Sequence, residues 1–442
     1  MSAEEREIRP HSPAGAPRAD GAAGGLGAFR FYLAIQSSWF LAIGSHMVLF
    51  PYLVADRLDM SPQLVGLAQV SLMGPTLFLL LIGGVTADRV NTRRLLMWLH
   101  LLAMIPASGL ALVIALGALS YPAIIVFGLC MGTLSAFTMP ARDSMLTPLV
   151  TLSNSPLTIQ RAVMLANMTQ FASQLSGMIV ASAATFVGVA PILIFQALAV
   201  GSGALWVLRT PPVPKIADAP RDGRPRSTLG DITDTLRLLL RSPSMTTVTA
   251  TVFVSGILSI GSFLVAMPIL VRDEYSGGTW RFATFSVCFW TGTLIAAITL
   301  SRIGRIGRPG RAMMLAMVSA ASFSLILTQT MPFPVFCGLC LLWGMSAGVS
   351  MTMSRSLIQE AAPAAHRARL LSIYQLGFMG GAPVGALAMG PVVDAIGPHL
   401  AFLVPSLGMA SVFLVLASRT DFWRLRLEDV TAERDRLWQA PA

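Results

Sequence analysis

Of the 442 residues, 54% are hydrophobic and 12% charged, half the charge of about 25% usual in a soluble domain, and the mean hydropathy is +0.69. Too few charged groups remain to solvate a surface, and a disordered chain, a coiled coil and a disulfide scaffold are excluded. The net charge of +10 would point to nucleic acid in a soluble chain. In a membrane protein it follows from basic cytoplasmic loops, so no nucleic-acid partner is expected.

Residues 1–28 are polar and rich in Gly, Ala and Pro, with Glu4, Glu5 and Glu7. No short apolar segment precedes the first span, so they read as a disordered cytoplasmic tail and not a cleaved signal. Apolar runs of about 20 residues span a bilayer as helices. Twelve occur, at roughly 31–54, 63–87, 94–117, 121–141, 159–186, 189–208, 244–271, 280–302, 311–330, 333–356, 367–394 and 398–418. Pro75 and Pro383 inside them are tolerated, because neighbouring helices satisfy the freed backbone groups.

The spans divide into six over 29–208 and six over 244–418. Between them, 209–243 begins as a Pro/Arg linker and ends as an amphipathic helix with Leu229, Ile232, Leu236 and Leu239 on one face. The tail 419–442 sets Trp423, Leu427, Val430 and Trp438 among Arg and Glu. It reads either as a helix on the inner membrane surface or as a solvated cytoplasmic one.

With the N-terminus in the cytoplasm, all but three of the 31 basic residues fall on the inner side, the exceptions being Arg57, Arg272 and Arg281. That asymmetry sets the orientation, with both termini cytoplasmic and the bacterial inner (plasma) membrane as the expected location. Thirty of the 31 are Arg, Lys215 being the one Lys.

A shift of 213 residues carries Arg89 onto Arg302 and Arg142 onto Arg355. The same shift carries Arg30 to Pro243, a match of position only. Gly128 and Gly132 in span four reappear as Gly344 and Gly348 in span ten, shifted by 216. The chain reads as a duplicated half. Two six-helix halves joined by a linker are the plan of a transporter that rocks about a site near the midplane.

GVTADRVNTRR, at 84–94, resembles the loop signature of the major facilitator superfamily, with Asn91 for the usual Gly and Thr92 for a basic residue. Asn91 tolerates the left-handed backbone that a turn there needs. Gly84 would permit close helix contact. Asp88 can accept charge-assisted hydrogen bonds from Arg93 or the other half. The resemblance implies that Gly84, Asp88, Arg89, Arg93 and Arg94 latch the outward-open state; the plain alternative is a positive-inside loop.

MPARDSMLTPLV at 139–150, LRLLLRSP before span seven and the segment 355–397 resemble the enterobactin-exporter-like branch, and the likeness covers about 29–420. It implies an all-α, twelve-helix polytopic fold, no enzymatic activity, no cofactor, and efflux of small molecules, as by an antiporter.

Polar side chains inside spans are costly unless they face partners or a wet cavity. Asn167, Gln170 and Gln174 share one face of span five, continued by Gly177. Gln36 and His46 lie in span one; Ser255, Ser259 and Ser262 in seven; Trp290 in eight; Trp343 in ten; Tyr374 and Gln375 in eleven. By the resemblance these helices border a cavity. The alternative for each is helix-to-helix bonding worth about 0.6–2 kcal/mol.

No Asp or Glu lies in the middle third of a span; Asp88, Asp143, Glu360 and Asp394 sit at span ends. His46 and His100 are the imidazoles within spans, as proton shuttles or as packed neutral rings, and protons are the candidate coupling ion. A neutral lining suits an amphipathic or uncharged organic substrate. Arg142, Asp143, Arg302 and Arg355 at inner span ends either bridge helices in a closed state or anchor the loops. Cys337 and Cys340 read as small buried residues, and no metal site is expected.

The leading expectation is a monomeric secondary active exporter of a drug, siderophore or secondary metabolite. An importer or lipid flippase of the same fold is the near alternative. A polytopic membrane enzyme or a non-transporting sensor is the distant one, since no HExxH, GxSxG or Walker A motif occurs.

Overall fold

With no water in the bilayer core, backbone polar groups must be satisfied within the chain, which helices do unaided. The computed structural model describes residues 26–152, 159–211, 236–303, 306–362 and 367–438, and among them the regular elements are all helices. They are α1 (Leu26–Pro51), α2 (Pro62–Arg89), α3 (Thr92–Ala115), α4 (Tyr121–Leu152), α5 (Ile159–Ser182), α6 (Val189–Arg209), α7 (Pro243–Tyr275), α8 (Thr279–Ile303), α9 (Pro309–Ile326), α10 (Phe333–Ala361), α11 (Arg367–Ala401), α12 (Leu403–Arg419) and α13 (Leu427–Trp438).

Ten of these are long and apolar enough to cross a bilayer. The other two spanning helices are α5, whose amides and hydroxyls lower its hydropathy, and α12, which has 17 residues. The first twelve helices form an all-α bundle. α4 outruns its predicted end at 141, continuing past Pro140 and Pro148 to Leu152. Two helices contain π-helical turns: α1 runs into one at Tyr52–Arg57, and α7 contains one at Gly256–Ile260.

The packing repeats. α1 pairs with α5 as α7 does with α11; α2 with α4 as α8 with α10; α3 with α6 as α9 with α12. Small residues set these distances. Gly128 and Gly132 lie against Ser71 and the Leu72 backbone of α2, and Gly344 and Gly348 against Phe289 and Thr293 of α8, so closely that a Cβ would overlap. Thr76 Oγ1 donates to Gly132 O at 2.9 Å, and Thr293 Oγ1 to Gly344 O at 3.0 Å. Gly188, just before α6, has φ 85° and ψ 167°; Gly397, at a kink inside the α11 range that turns the chain toward the last span, has φ 80° and ψ 164°. That region of backbone space is essentially closed to other residues. The repeat expected from arginine spacing thus extends to the turns.

The even number of crossings leaves the start of α1 and the whole of α13 on one face of the bundle, called here the terminal face; the opposite one is the distal face. The halves meet along α2 against α11 and α5 against α8. Large apolar side chains such as Ile105, Leu116, Phe186 and Leu407 stay exposed around the periphery, as a hydrocarbon surround permits.

α13 is docked on the bundle. It packs on the end of α10 with Val430 fully buried. Glu433 accepts hydrogen bonds from the hydroxyls of Ser242 and Ser244 at the start of α7. Ser242 caps α7 by accepting from Met245 N at 3.2 Å, and a carboxylate there also meets the positive end of the helix dipole. Of the expected linker helix, Leu229 and Ile232 lie outside the described residues; Leu236 is exposed and Leu239 buried.

Candidate functional site

The distal ends of the two halves are bonded together. Arg272, in the last turn of α7, sends Nη1 across to Asp59 Oδ1 at 2.9 Å, Ala55 O at 3.1 Å and Met60 O at 3.3 Å. Gln63 Nε2 donates to Asp394 Oδ2, the Thr185 and Thr279 hydroxyls lie 2.7 Å apart, and the Tyr52 and Phe282 rings meet edge-on at 5.7 Å. Gly277, at φ 55°, presses so tightly on the Asp56 carboxylate that any side chain there would collide. Among the described residues, the hydrogen bonds and ion pairs that join the halves all lie at this distal face. The conformation is closed there.

At the terminal end of α2, Asp88 and Arg89 occupy the last helical turn, and their side chains lie outside the described ones. Two expectations for this loop change. Asn91 is not left-handed: with φ −69° and ψ 104° it caps α3, its Oδ1 accepting from Arg94 N at 3.1 Å. Gly84 faces open space, and the close approach falls on Gly83 against the backbone of Ala136. One residue is about 100° of helical rotation, enough to move a glycine off the α4 face. Arg93 Nε donates to Val207 O at 3.0 Å and its Nη2 to Leu208 O, so its charge serves the carbonyl end of α6. Arg94 is exposed.

Arg142 is 6% exposed. It pairs with Asp143 Oδ1 at 2.7 Å within α4 and lies over the Phe40 ring at 4.9 Å. The repeat-related Arg355, and Arg302, are exposed. In this distal-closed conformation Arg142 and Asp143 pair with each other.

The polar residues inside the spans separate into two groups. The first is bonded or packed within the bundle. Gln36 Nε2 donates to Ala166 O, and Gln174 Nε2 to Met47 Sδ at 3.1 Å; Ser45 Oγ bonds Gly177 O at 3.1 Å. These hold α1 on α5. Tyr374 and Ser354 share a hydrogen bond of 2.6 Å between α11 and α10. Trp343 is buried among Phe263, Phe289 and Phe402. Ser262 Oγ returns to Leu258 O at 2.6 Å, and Ser255 Oγ points to Met409 Sδ at 3.7 Å. His46 Nδ1 lies 3.5 Å from Gln196 Nε2, and His100 Nδ1 2.8 Å from Val200 O. Gln196, fully buried in α6, was not singled out in the sequence; an amide amid an apolar run was its signal.

The second group keeps bonding capacity. Asn167 and Gln170 of α5 are half-buried, with no side-chain hydrogen bond among the described residues. Trp290 of α8 is half-buried, and its Nε1 has no partner there. Phe171 beside Gln170 meets the Trp290 ring at 6.4 Å, so these groups share the α5–α8 seam between the halves. Ser259 Oγ, in the π-helical turn of α7, is likewise unpartnered; such turns recur at functional sites. Gln375 is exposed. The seam holds amide and indole groups, which can hydrogen-bond and make aromatic contact.

Solved structures share this fold. The D-xylose–proton symporter superposes with a TM-score of 0.70 at 14% identity, covering 90% of this chain and 98% of its own. The nucleoside transporter NupG gives 0.67 at 15%, covering 88% and 98%. A bacterial homolog of the human lysosomal transporter Spinster, inward-facing and unoccupied, gives 0.62 at 11%, covering 92% and 97%. No curated protein matches the sequence. The family model of the Major Facilitator Superfamily matches residues 33–386 and 279–433, nearly the whole bundle. On that match and this fold, the chain belongs to the major facilitator superfamily of membrane transporters.

Proposed function

We propose that the protein is a secondary active exporter of a small amphipathic organic molecule, of the drug, siderophore or secondary-metabolite kind, with the terminal face in the cytoplasm. The neutral α5–α8 seam carries this reading: Asn167, Gln170 and Trp290 hold unused hydrogen-bonding groups beside aromatic rings. A phosphorylated or ionic cargo would call for fixed charge there. The arginine distribution supports a cytoplasmic terminal face.

In this reading, the closed distal face is the outer gate and the conformation admits cargo from the cytoplasm. Rocking about the seam breaks the Arg272 contacts and closes the terminal face. Asp88 then finds its partner in the opposite half, with Arg142, Asp143, Arg302 and Arg355 at the same level. Protons are the proposed coupling ion.

Inside-out vesicles test direction and coupling together. An uncharged amphipathic fluorescent substrate should accumulate in them when the proton gradient is present and leak on its collapse. Accumulation only in right-side-out vesicles would make the protein an importer, and translocation of labelled lipid would make it a flippase.

A further inference from the structure

Where α9 begins, α12 ends and the segment before α13 turns back, two adjoining cavities open on the rim of the terminal face. The lower, about 270 Å³, is lined by Arg308, Trp423, Arg424 and Arg426. The upper, about 480 Å³, runs along α12 past Phe413 and Ala417, with Thr420, Asp421, Trp423 and Arg424. Trp423 and Arg424 belong to both. Arg311 stacks over Trp423 at 5.1 Å, and Phe413 meets the same indole edge-on at 6.4 Å.

Three exposed guanidiniums around one cavity, with a fourth on its tryptophan, concentrate positive charge at this rim. None has a carboxylate partner among the described residues. The nearest acids are otherwise placed: Asp429 Oδ2 accepts from the backbone N of Arg426 at 2.9 Å, and Asp421 is exposed at the upper cavity. Backbone contacts fix the arrangement: Gly310 is pressed against Phe422 O, and Leu427 N donates to Gly307 O at 3.2 Å. Arginine forks match phosphate oxygens bidentately. Basic pockets between helices at a membrane face bind anionic headgroups, and tryptophan favours the same interface. The upper cavity, with Phe413, Ala417 and Trp423 beside Thr420, Asp421 and Arg424, leads along a helix that exposes Leu407, Leu414 and Val415.

We infer that these cavities form a binding site for an anionic phospholipid of the leaflet at the terminal face. Its phosphate sits among Arg308, Arg424 and Arg426, and its glycerol and first acyl carbons lie along Trp423, Phe413 and Ala417. The lipid would bridge the α8–α9 loop to the segment that carries α13.

Native mass spectrometry of the purified full chain, titrated with phosphatidylglycerol and with phosphatidylcholine, tests the site. Wild type should retain phosphatidylglycerol preferentially. Arg308→Gln with Arg424→Gln should cut that retention by about 25-fold, since each arginine near an anionic surface contributes about fivefold. The charge-matched pair Arg30→Gln with Arg241→Gln should not. Equal loss in both pairs, or none in either, overturns the proposal, as does displacement of the lipid by inorganic phosphate alone at about 10 mM, well above ordinary phosphate-site needs. A readout without substitution is hydrogen exchange of residues 420–427 in nanodiscs. Protection should rise when phosphatidylglycerol replaces phosphatidylcholine, and identical exchange in the two refutes the site.

Discussion

Arg272 of α7 and Asp59, just beyond α1, are joined across the two halves by a 2.9 Å contact at the distal face. The same guanidinium also reaches two backbone carbonyls of the first half. An exposed ion pair alone is worth only about 0–1 kcal/mol; the carbonyl contacts make Arg272 more than a surface pair. Arg272→Gln should therefore favour distal opening by about fivefold, the equivalent of about 1 kcal/mol. Labelling of a thiol introduced by Ala386→Cys, beside Gly66 in the distal seam, would report it. An unchanged labelling rate would mean that the seam is held elsewhere.

Asn167 and Gln170 spend no hydrogen bond on the fold, whereas Gln36 does. Asn167→Ala with Gln170→Ala should leave thermal stability within experimental error and raise the apparent KM for cargo several-fold. Gln36→Ala should do the reverse, lowering stability by about 1 kcal/mol through the lost bond to Ala166. If the first pair unfolds the protein while leaving KM unchanged, the seam is mortar and not a binding surface.

The turns at Gly188 and Gly397 can be tested without steric ambiguity. A Cβ at Gly397 meets nothing within 4 Å, and at Gly188 only Pro191 at 4.0 Å. Gly188→Ala and Gly397→Ala should each destabilise by about 1–3 kcal/mol from backbone strain alone, and by similar amounts, seen as matched drops in Tm. Very unequal drops would deny the two turns a common role.

Asp88→Asn should slow transport at least severalfold with normal membrane insertion, if its partner lies across the seam in the opposite state. Full transport would remove the latch. Arg93→Gln should instead cost stability, because Arg93 caps the end of α6.

Much of the fold was legible because hydrocarbon imposes a simple rule: apolar runs cross, and arginines stop at the edges. The 213-residue shift that joins Arg142 to Arg355 had the same origin. Side-chain roles were less legible. The spacing of Asn167, Gln170 and Gln174 fixes their shared face, but only the neighbouring helix decides that Gln174 meets Met47 while Gln170 stays free. Gly84 was one residue away from the true contact, since sequence gives rotation only to within a helical step. The docking of α13 depends on a carboxylate meeting two hydroxyls about 190 positions away, and no local pattern encodes that.

That last contact sets an order of events during synthesis. Ser242 and Ser244 are made and threaded into the membrane long before Glu433 leaves the ribosome. The second half is therefore assembled with one end unfastened, and it is clasped shut only when α13 arrives. A stalled or shortened nascent chain would hold six inserted helices and still lack the fastening of α7, making that end the natural place for quality control to inspect.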